Sequence, residues 1–562
     1  MSPIFNLSKI GFFGKIPHGK WQYWIKNRKH LTMKKILLFI PVLVCYQLVV
    51  GQLMVKEFKI DKQYLNFPIS KTEKRQMLKF VADKDTLTYS VASIANGTPD
   101  YWVFKDVSDL KGKILKLVYT KQVEGIDKIY QSDNFAGEDS VYKERNRPQF
   151  HFTTRRGWVN DPNGLVYSNG EYHLFYQHNP YEINWQNMHW GHAVSKDLLH
   201  WVELNDALYP DSLGTIFSGS AVIDENNTAG WGKNALVAFY TTAGEKMQQN
   251  IAYSNDNGRS FNKFNGNPIL GPDRDPKVFW HAPSQTWVMV LYNENHIAIY
   301  NAKDLKKWEL KSKVKGFYEC PELFELSVDG NDKNKKWVMY AASGTYMIGD
   351  FDGAHFKPEA GKYFYTWGAQ YAAQTYNNTP DGKRIQIGWG RIDQAGMPFN
   401  QMMLFPNELS LRTTREGIRL FCEPIKQISQ LHEKQLTWKD VSAEQLNGAL
   451  KNIHSEQLHI KMDVELDKGL GLEIHYKGNP IIYYDGNFNR FNGAPYICEN
   501  PGSFRFTIEM LVDKNSVEGY IDHGKLHIAE ALKIPKTNNG VEIKGDVKIH
   551  SFEIAELKSI WK

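Results

Sequence analysis

A strand–turn–strand unit closing on aromatic residues recurs five times between residues 165 and 390, and few folds accommodate such a repeat. The copies are LVYSNGEYHLFYQ (165–177), AVIDENNTAGWGKNALVAFYTT (221–242), PKVFWHAPSQTWVMVLYNE (276–294), PELFELSVDGNDKNKKWVMYAAS (321–343) and YAAQTYNNTPDGKRIQIGWG (371–390). Their second strands close on Tyr176, Tyr240, Tyr292, Tyr340 and Trp389, at steps of 64, 52, 48 and 49 residues. A second repeat interleaves: HAVSKDLLHW, IAYSNDNGRSF, IAIYNAKDLKKW and MIGDFDGAHF each read as a third strand, a polar turn and a short fourth strand. A tandem-hairpin sandwich has no need of so regular a period. Four strands at every turn of the repeat predict an all-β chain built on a five-bladed β-propeller.

The remaining sequence divides around that repeat. At 562 residues the chain is too long for one ordinary domain. Weak alternation in LNFPIS, YWVFKDVSDL and KILKLVYT predicts a small N-terminal β accessory domain over residues 53–143, followed by the propeller over 144–430. A Gln- and Lys-rich stretch after CEPIKQISQL (422–431) reads as a linker. Beyond it, LHIKMDVEL, LGLEIHYKG, NPIIYYDG, RFTIEMLVD, SVEGYIDHGKL and VKIHSFEIAEL predict a C-terminal β-sandwich over 431–562.

Residues 1–52 hold eight Lys/Arg and no acid, so removing them turns the formal charge of +6 into −2. That near-neutral balance carries no electrostatic footprint for nucleic acid. Two lysines after Met33, an apolar run from Ile36 to Val50 and a small Gly51 read as a secretory signal peptide, with residues 1–32 as an upstream extension. The run falls short of the roughly 20 residues that span a bilayer, so the mature chain is expected to be exported without a transmembrane segment. Val44 before Cys45 is larger than a lipoprotein signal prefers. Cys320, Cys422 and Cys498 are too few and too scattered for a disulfide framework, and His189 and His192 of HWGH have no metal-ligating companions.

In a propeller the first strand of every blade lines the axis, so residues at their starts meet at one mouth. Those starts read Asn160-Asp161-Pro162, Phe217-Ser218-Gly219, Arg274-Asp275-Pro276, Glu319-Cys320-Pro321 and Ala369-Gln370. Three of the five carry a carboxylate, each followed closely by proline. Asp161-Pro162-Asn163-Gly164 also has the favoured residues of a type I β-turn, which is expected to aim Asp161 at the axis. Carboxylates crowded at one mouth raise at least one pKa unless cations or hydrogen bonds intervene. Acids whose pKa values are driven apart suit glycoside cleavage, where one protonates the leaving oxygen and another attacks or activates water. Among nearby aromatics and amides, Trp185 and Phe217 are expected to reach a ligand, while Trp190, Trp201 and most others belong to the blade cores.

WVNDPNG (158–164), NPYEINWQNMHWGHAVSKDLLHW (179–201), FSGS (217–220), RDPKVFW (274–280) and ECPELF (319–324) resemble the successive signatures of glycoside hydrolase family 32, the invertases, levanases, inulinases and other β-fructosidases. The resemblance runs from about residue 147 to the end, including LVDKNSVEGYIDHGK (511–525). It implies Asp161 as nucleophile, Glu319 as general acid/base and Asp275 as the holder of fructose hydroxyls, with Arg274 beside it to hold Glu319 or a hydroxyl. Asn160, Gln177, Trp185 and Ser218 match substrate-pocket positions, and Phe217 stands where many plant and fungal relatives have Trp. Retention through a covalent fructosyl-enzyme is implied, without metal or organic cofactor. The accessory domain resembles a module preceding some bacterial levan-degrading members. The expected substrate is therefore a fructan or fructo-oligosaccharide, levan before inulin or sucrose. A fructan-binding protein on an inactive scaffold and an arabinan- or xylan-active propeller hydrolase are the alternatives. Ala369 and Gln370 depart from the acidic or amide-aromatic pair expected in the fifth repeat, which places its substrate contacts in question.

Overall fold

The computed structural model describes residues 53–561 apart from 84, 121–122, 500–503 and 539, so the upstream extension and signal peptide lie outside the described residues. β-branched and aromatic residues alternating between polar turns make short strands, and each of the five repeated hairpins is a pair of them. Five consecutive groups of four antiparallel strands follow; the first gains a short parallel strand, Phe399–Asn400, and the last two are joined in one nine-stranded sheet. The first strands of these groups are Gly157–Ser168, Thr215–Asp224, Arg274–His281, Glu322–Val328 and Gln370–Thr375. The interleaved repeat supplies their third and fourth strands, as in His189–Ser195 with Trp201–Glu203 and His296–Ala302 with Glu309–Lys315. The fifth sheet is completed by Asn407–Thr414 and Gly417–Pro424 and touches the fourth through a Val328–Leu411 bridge.

Side chains bond each first strand to the next. Asn163 Oδ1 accepts from Gly219 N at 3.1 Å, and Ser220 Oγ accepts from Val278 N at 2.9 Å. Lys277 Nζ lies 3.0 Å from Glu322 Oε1, whose other oxygen accepts from Thr375 Oγ1 at 2.6 Å. Gln374 Oε1 then accepts from Leu165 N at 3.0 Å, joining the fifth strand to the first. Burial lowers the pKa of Lys277 to about 8 against the pull of Glu322, so this pair is held by its geometry and not by charge alone.

Before these sheets, a four-stranded sheet (Leu53–Lys59, Ile114–Thr120, Gln76–Ala82, Asp85–Ala92) and a three-stranded one (Tyr101–Asp106, Tyr64–Ile69, Tyr130–Ser132) share one apolar core containing Phe67, Phe80, Leu117 and Val103. After them, a seven-stranded and a five-stranded sheet enclose a core that includes Ile460, Met510, Ile482 and Phe506. The stretch expected as a linker is instead strand His432–Ser442, paired with Lys548–Leu557 at the edge of the larger sheet. Edge strands keep charged residues on their exposed side, and that polarity made the segment read as linker.

A buried carboxylate pair ties the last unit to the sheets before it. Asp513 accepts from Gln149 N, Phe150 N and His151 Nδ1, while Glu518 accepts from Phe405 N and takes His151 Nε2 at 2.7 Å and His527 Nε2 at 3.0 Å. This is the physical content of the LVDKNSVEGYIDHGK segment. Burial opposes charge on His151, but its bonds to Asp513 and Glu518 prevail and raise its pKa from 6.5 to about 9. Burial likewise opposes charge on Glu518, and the bonds to His151 and His527 overcome it to lower that pKa to about 2. His151 therefore contributes stability that is complete below pH 6.5 and lost as pH rises through about 9; Glu518 contributes stability present above pH 4.5 and lost as pH falls through about 2. His151→Ala should lower the unfolding free energy by about 3–5 kcal/mol at pH 6, because it strands buried carboxylates. Thermal melts across pH 6–10 should show a smaller alkaline decline in the variant than in the wild type.

Candidate active site

Four of the five first strands break their ladders at the site, and the fourth begins at Glu322, just after Glu319 and Cys320. In Gly157–Ser168, Asn160 and Asp161 together oppose Gln177, and Gly164 with Leu165 opposes Leu174. The Asp161–Gly164 segment is thus a doubly bulged strand and not the expected type I turn. The residue preferences are shared, since both irregularities require a backbone that leaves the extended region. Gly164 has φ +56°, and a Cβ there would lie 2.6 Å from the Phe175 ring. Ser218 is the extra residue of the second strand, Asp275 and Pro276 oppose Leu291 in the third, and Ala372 and Ala373 oppose Gly388 in the fifth. Asp275, Glu319, Cys320 and Ala372 all have positive φ, between 41° and 61°. Bulges re-aim side chains, and here they re-aim them to a common point.

At that point Asp161 Oδ2 accepts from Ser218 Oγ at 2.6 Å, and its Oδ1 accepts from Asn160 Nδ2 at 3.1 Å. Asn160 is itself fixed by Trp158 Nε1, which donates to its Oδ1 at 2.9 Å. Cys320 bridges two of the acids, its Sγ 3.6 Å from Asp161 Oδ2 and 3.8 Å from Asp275 Oδ2, while its backbone N donates to Asp275 Oδ2 at 3.2 Å. Thr241 Oγ1 accepts from Asp275 N at 3.0 Å. Glu319 is gripped on both oxygens, by the Arg274 guanidinium on one and by Tyr371 OH at 2.7 Å on the other. Arg274 Nε also lies 3.8 Å from Asp275, and its guanidinium rests over the Tyr292 ring at 5.3 Å.

Burial raises the pKa of Asp161, and the charge of Glu319 adds to it against the hydrogen bonds of Ser218 and Asn160. Burial drives Asp275 further, to about 7, with Asp161 and Glu319 reinforcing and Arg274 opposing. The Cys320 thiol is pushed well up by burial and the neighbouring carboxylates, so it packs between the acids without reactivity. The crowding thus favours the protonated form of Asp275.

A family model described as the N-terminal domain of glycosyl hydrolases family 32 matches residues 151–424. A levanase of Bacillus subtilis (strain 168) is 39% identical over 490 residues, covering 76% of this chain and 72% of that protein. The chain belongs to glycoside hydrolase family 32. The extracellular exo-inulinase of Aspergillus awamori is 36% identical over 362 residues, covering 52% of this chain and 67% of that protein. The crystal structure of exo-inulinase from Aspergillus awamori superposes with a TM-score of 0.65 at 27% identity, over 75% of this chain and all of that one. A fructofuranosidase from Schwanniomyces occidentalis, solved with fructose, does so with 0.65 at 27%, over 75% and 99%. This glycoside hydrolase therefore carries its three acids on the fold shared by those enzymes.

The other anticipated residues separate into two groups. Trp185, 53% exposed, stands edge-on to Phe217 with ring centres 5.9 Å apart, an open aromatic corner. Gln177 is buried, and its amide donates to Ile216 O at 3.0 Å, joining the first two sheets. Trp190 and Trp201 are core residues, His192 stacks on Phe175, and His189 bonds the Asn187 carbonyl. Trp280 lies at the opposite end of its strand from Asp275 and packs on Trp287. The fifth sheet, doubtful from its Ala369-Gln370 start, supplies Tyr371 directly to Glu319. The bulge at Ala372 moves its register, and no sequence pattern marks that shift. Trp158 was likewise missed, although it opens the WVNDPNG motif. Because Asp275 binds a proton in the folded state that the unfolded chain releases near pH 4, stability should fall as pH rises from 4 through about 7. Asp275→Asn should remove that loss, giving a higher melting temperature than wild type at pH 8 and little difference at pH 4, alongside lower activity.

Proposed function

We propose that this chain is a retaining β-fructosidase that releases fructose or fructo-oligosaccharides from β-fructans, with levan preferred over inulin or sucrose. The convergence of Asp161, Asp275 and Glu319 carries this reading. Asp161 is the nucleophile: Ser218 and Asn160 donate to its two oxygens and fix the carboxylate for attack on the anomeric carbon. Glu319, held by Arg274 and Tyr371, is the general acid that gives a proton to the leaving oxygen as that bond breaks. The product is an ester between Asp161 and the fructosyl anomeric carbon. Glu319 then takes a proton from water, the water oxygen attacks that carbon, and Asp161 leaves as carboxylate. Asp275, reinforced by Cys320 N, binds sugar hydroxyls, and Trp185 with Phe217 receives the unit beyond the scissile bond.

The bonds linking the five first strands, the fifth back to the first, support a five-bladed propeller over 144–430, flanked by the N-terminal β unit at 53–143 and a C-terminal β-sandwich at 431–562. Similarity to a levanase over 490 residues, against 287 to 362 for the exo-inulinases, supports the levan preference. The apolar run after Met33 supports export, and among the described residues no helix is long and apolar enough to cross a membrane.

Digestion of levan, inulin and sucrose should give the highest kcat/KM on levan; fructose from sucrose alone would overturn the polymer assignment. Proton NMR should show retained configuration in the first-formed fructose. Asp161→Asn and Glu319→Gln should each lower kcat by roughly 10²–10⁴-fold, with a circular dichroism spectrum like that of wild type.

A further inference from the structure

Trp185, one side of the aromatic corner at the mouth, is carried on the 180–188 loop, between strands Glu171–Asn179 and His189–Ser195, and that loop is not held by its own sheet alone. It is built into the N-terminal β unit. Tyr181, 2% exposed, belongs to that unit's core, its ring 5.6 Å from Phe67 and 6.1 Å from Phe80. Glu182 is buried and accepts from Ser93 N at 3.0 Å and Ser93 Oγ at 2.9 Å. The Ile183 amide donates to Tyr101 OH, and Asn187 exchanges bonds with both the N–H and the carbonyl of Val91. Arg75 spans the tip: its Nε donates to Glu182 Oε2 at 2.6 Å and its Nη1 to Gln186 Oε1 at 2.7 Å. One guanidinium therefore pins the loop on both sides of Trp185, whose exposed ring faces Phe217.

We propose that the N-terminal β unit is a working part of the substrate mouth, and that Arg75 is a positioning residue that sets Trp185 for the saccharide unit beyond the scissile bond. A planar fork that meets two acceptors five or fewer residues apart fixes orientation as well as distance, which a lysine ammonium does not. The other bonds hold residues 181–184 and Asn187; Arg75 adds a hold on Gln186, on the far side of Trp185. The family model begins at residue 151, so this contact comes from outside the part of the chain that carries the acids. The kinetic part of the inference rests on the β-fructosidase reading; the structural part does not.

Arg75→Ala, Arg75→Lys, Trp185→Ala and the Arg75→Ala/Trp185→Ala pair separate the possibilities in the full-length protein. Hydrogen exchange followed by mass spectrometry on the 181–188 peptide should be faster in Arg75→Ala than in wild type, with the rest of the first sheet unchanged. Unchanged exchange in that peptide overturns the proposal, whatever the substrate proves to be. On levan, Arg75→Ala should raise KM about three- to tenfold, the scale of one aromatic contact, with kcat within about twofold; Arg75→Lys should recover part of that loss. The pair should be no worse than Trp185→Ala alone. Additive losses, or a fall in kcat at constant KM, would show that Arg75 does not act through Trp185. A wild type inactive on every fructan would defeat the β-fructosidase reading, and the exchange experiment would still decide whether Arg75 holds the loop.

Discussion

Backbone hydrogen bonding is given up at one level of the molecule, and the site exists because of it. Where Asp161, Ser218, Asp275 and Ala372 stand, the ladder to the second strand skips a residue. Asp275, Glu319, Cys320 and Ala372 adopt left-handed backbone, at about 1–3 kcal/mol each. Burying carboxyl groups together adds to that cost. What offsets it is local and specific: the Arg274 grip on Glu319, the Ser218 and Asn160 bonds to Asp161, and the Cys320 amide on Asp275. Below them, side-chain bonds between successive first strands keep the irregular segments from relaxing into regular ladders.

The same logic reaches outward to the flanking units. His151, just ahead of the first sheet, is clasped by Asp513 and Glu518 from the last unit, and Glu518 also holds the backbone of Phe405 near the fifth sheet. On the other side the N-terminal unit takes Tyr181 into its own core and encloses Glu182. Neither flank contributes an acid. Each adds bonds to a segment at the margin of the five sheets, one at the start of the first sheet and one at the loop bearing Trp185.

Much of this was legible in the sequence because it repeats. Turn residues at near-regular steps mark the hairpins, and carboxylates recurring at one register mark the mouth, since neither depends on distant contacts. What escaped was everything that depends on register or on the partner strand. Asp-Pro-Asn-Gly serves a turn and a bulge equally well, so only the pairing of Val159 with His178 and Pro162 with Tyr176 decides between them. Tyr371 was hidden by the Ala372 bulge, His432–Ser442 by the polarity of an edge strand, and Arg75 by a separation of 107 residues from Glu182. A single long-range ion pair has no periodicity to detect.

The bulge at Asn160-Asp161 is proposed to aim the nucleophile. Trapping the covalent intermediate tests it most directly. The Glu319→Gln variant, given a fructoside with a good leaving group, should accumulate enzyme heavier by one fructosyl residue, because the ester forms without help from the acid and breaks down slowly without the base. Proteolysis and peptide sequencing by mass spectrometry should place that mass on Asp161. A label on Asp275, or turnover with inverted configuration and no trapped ester, would contradict the account.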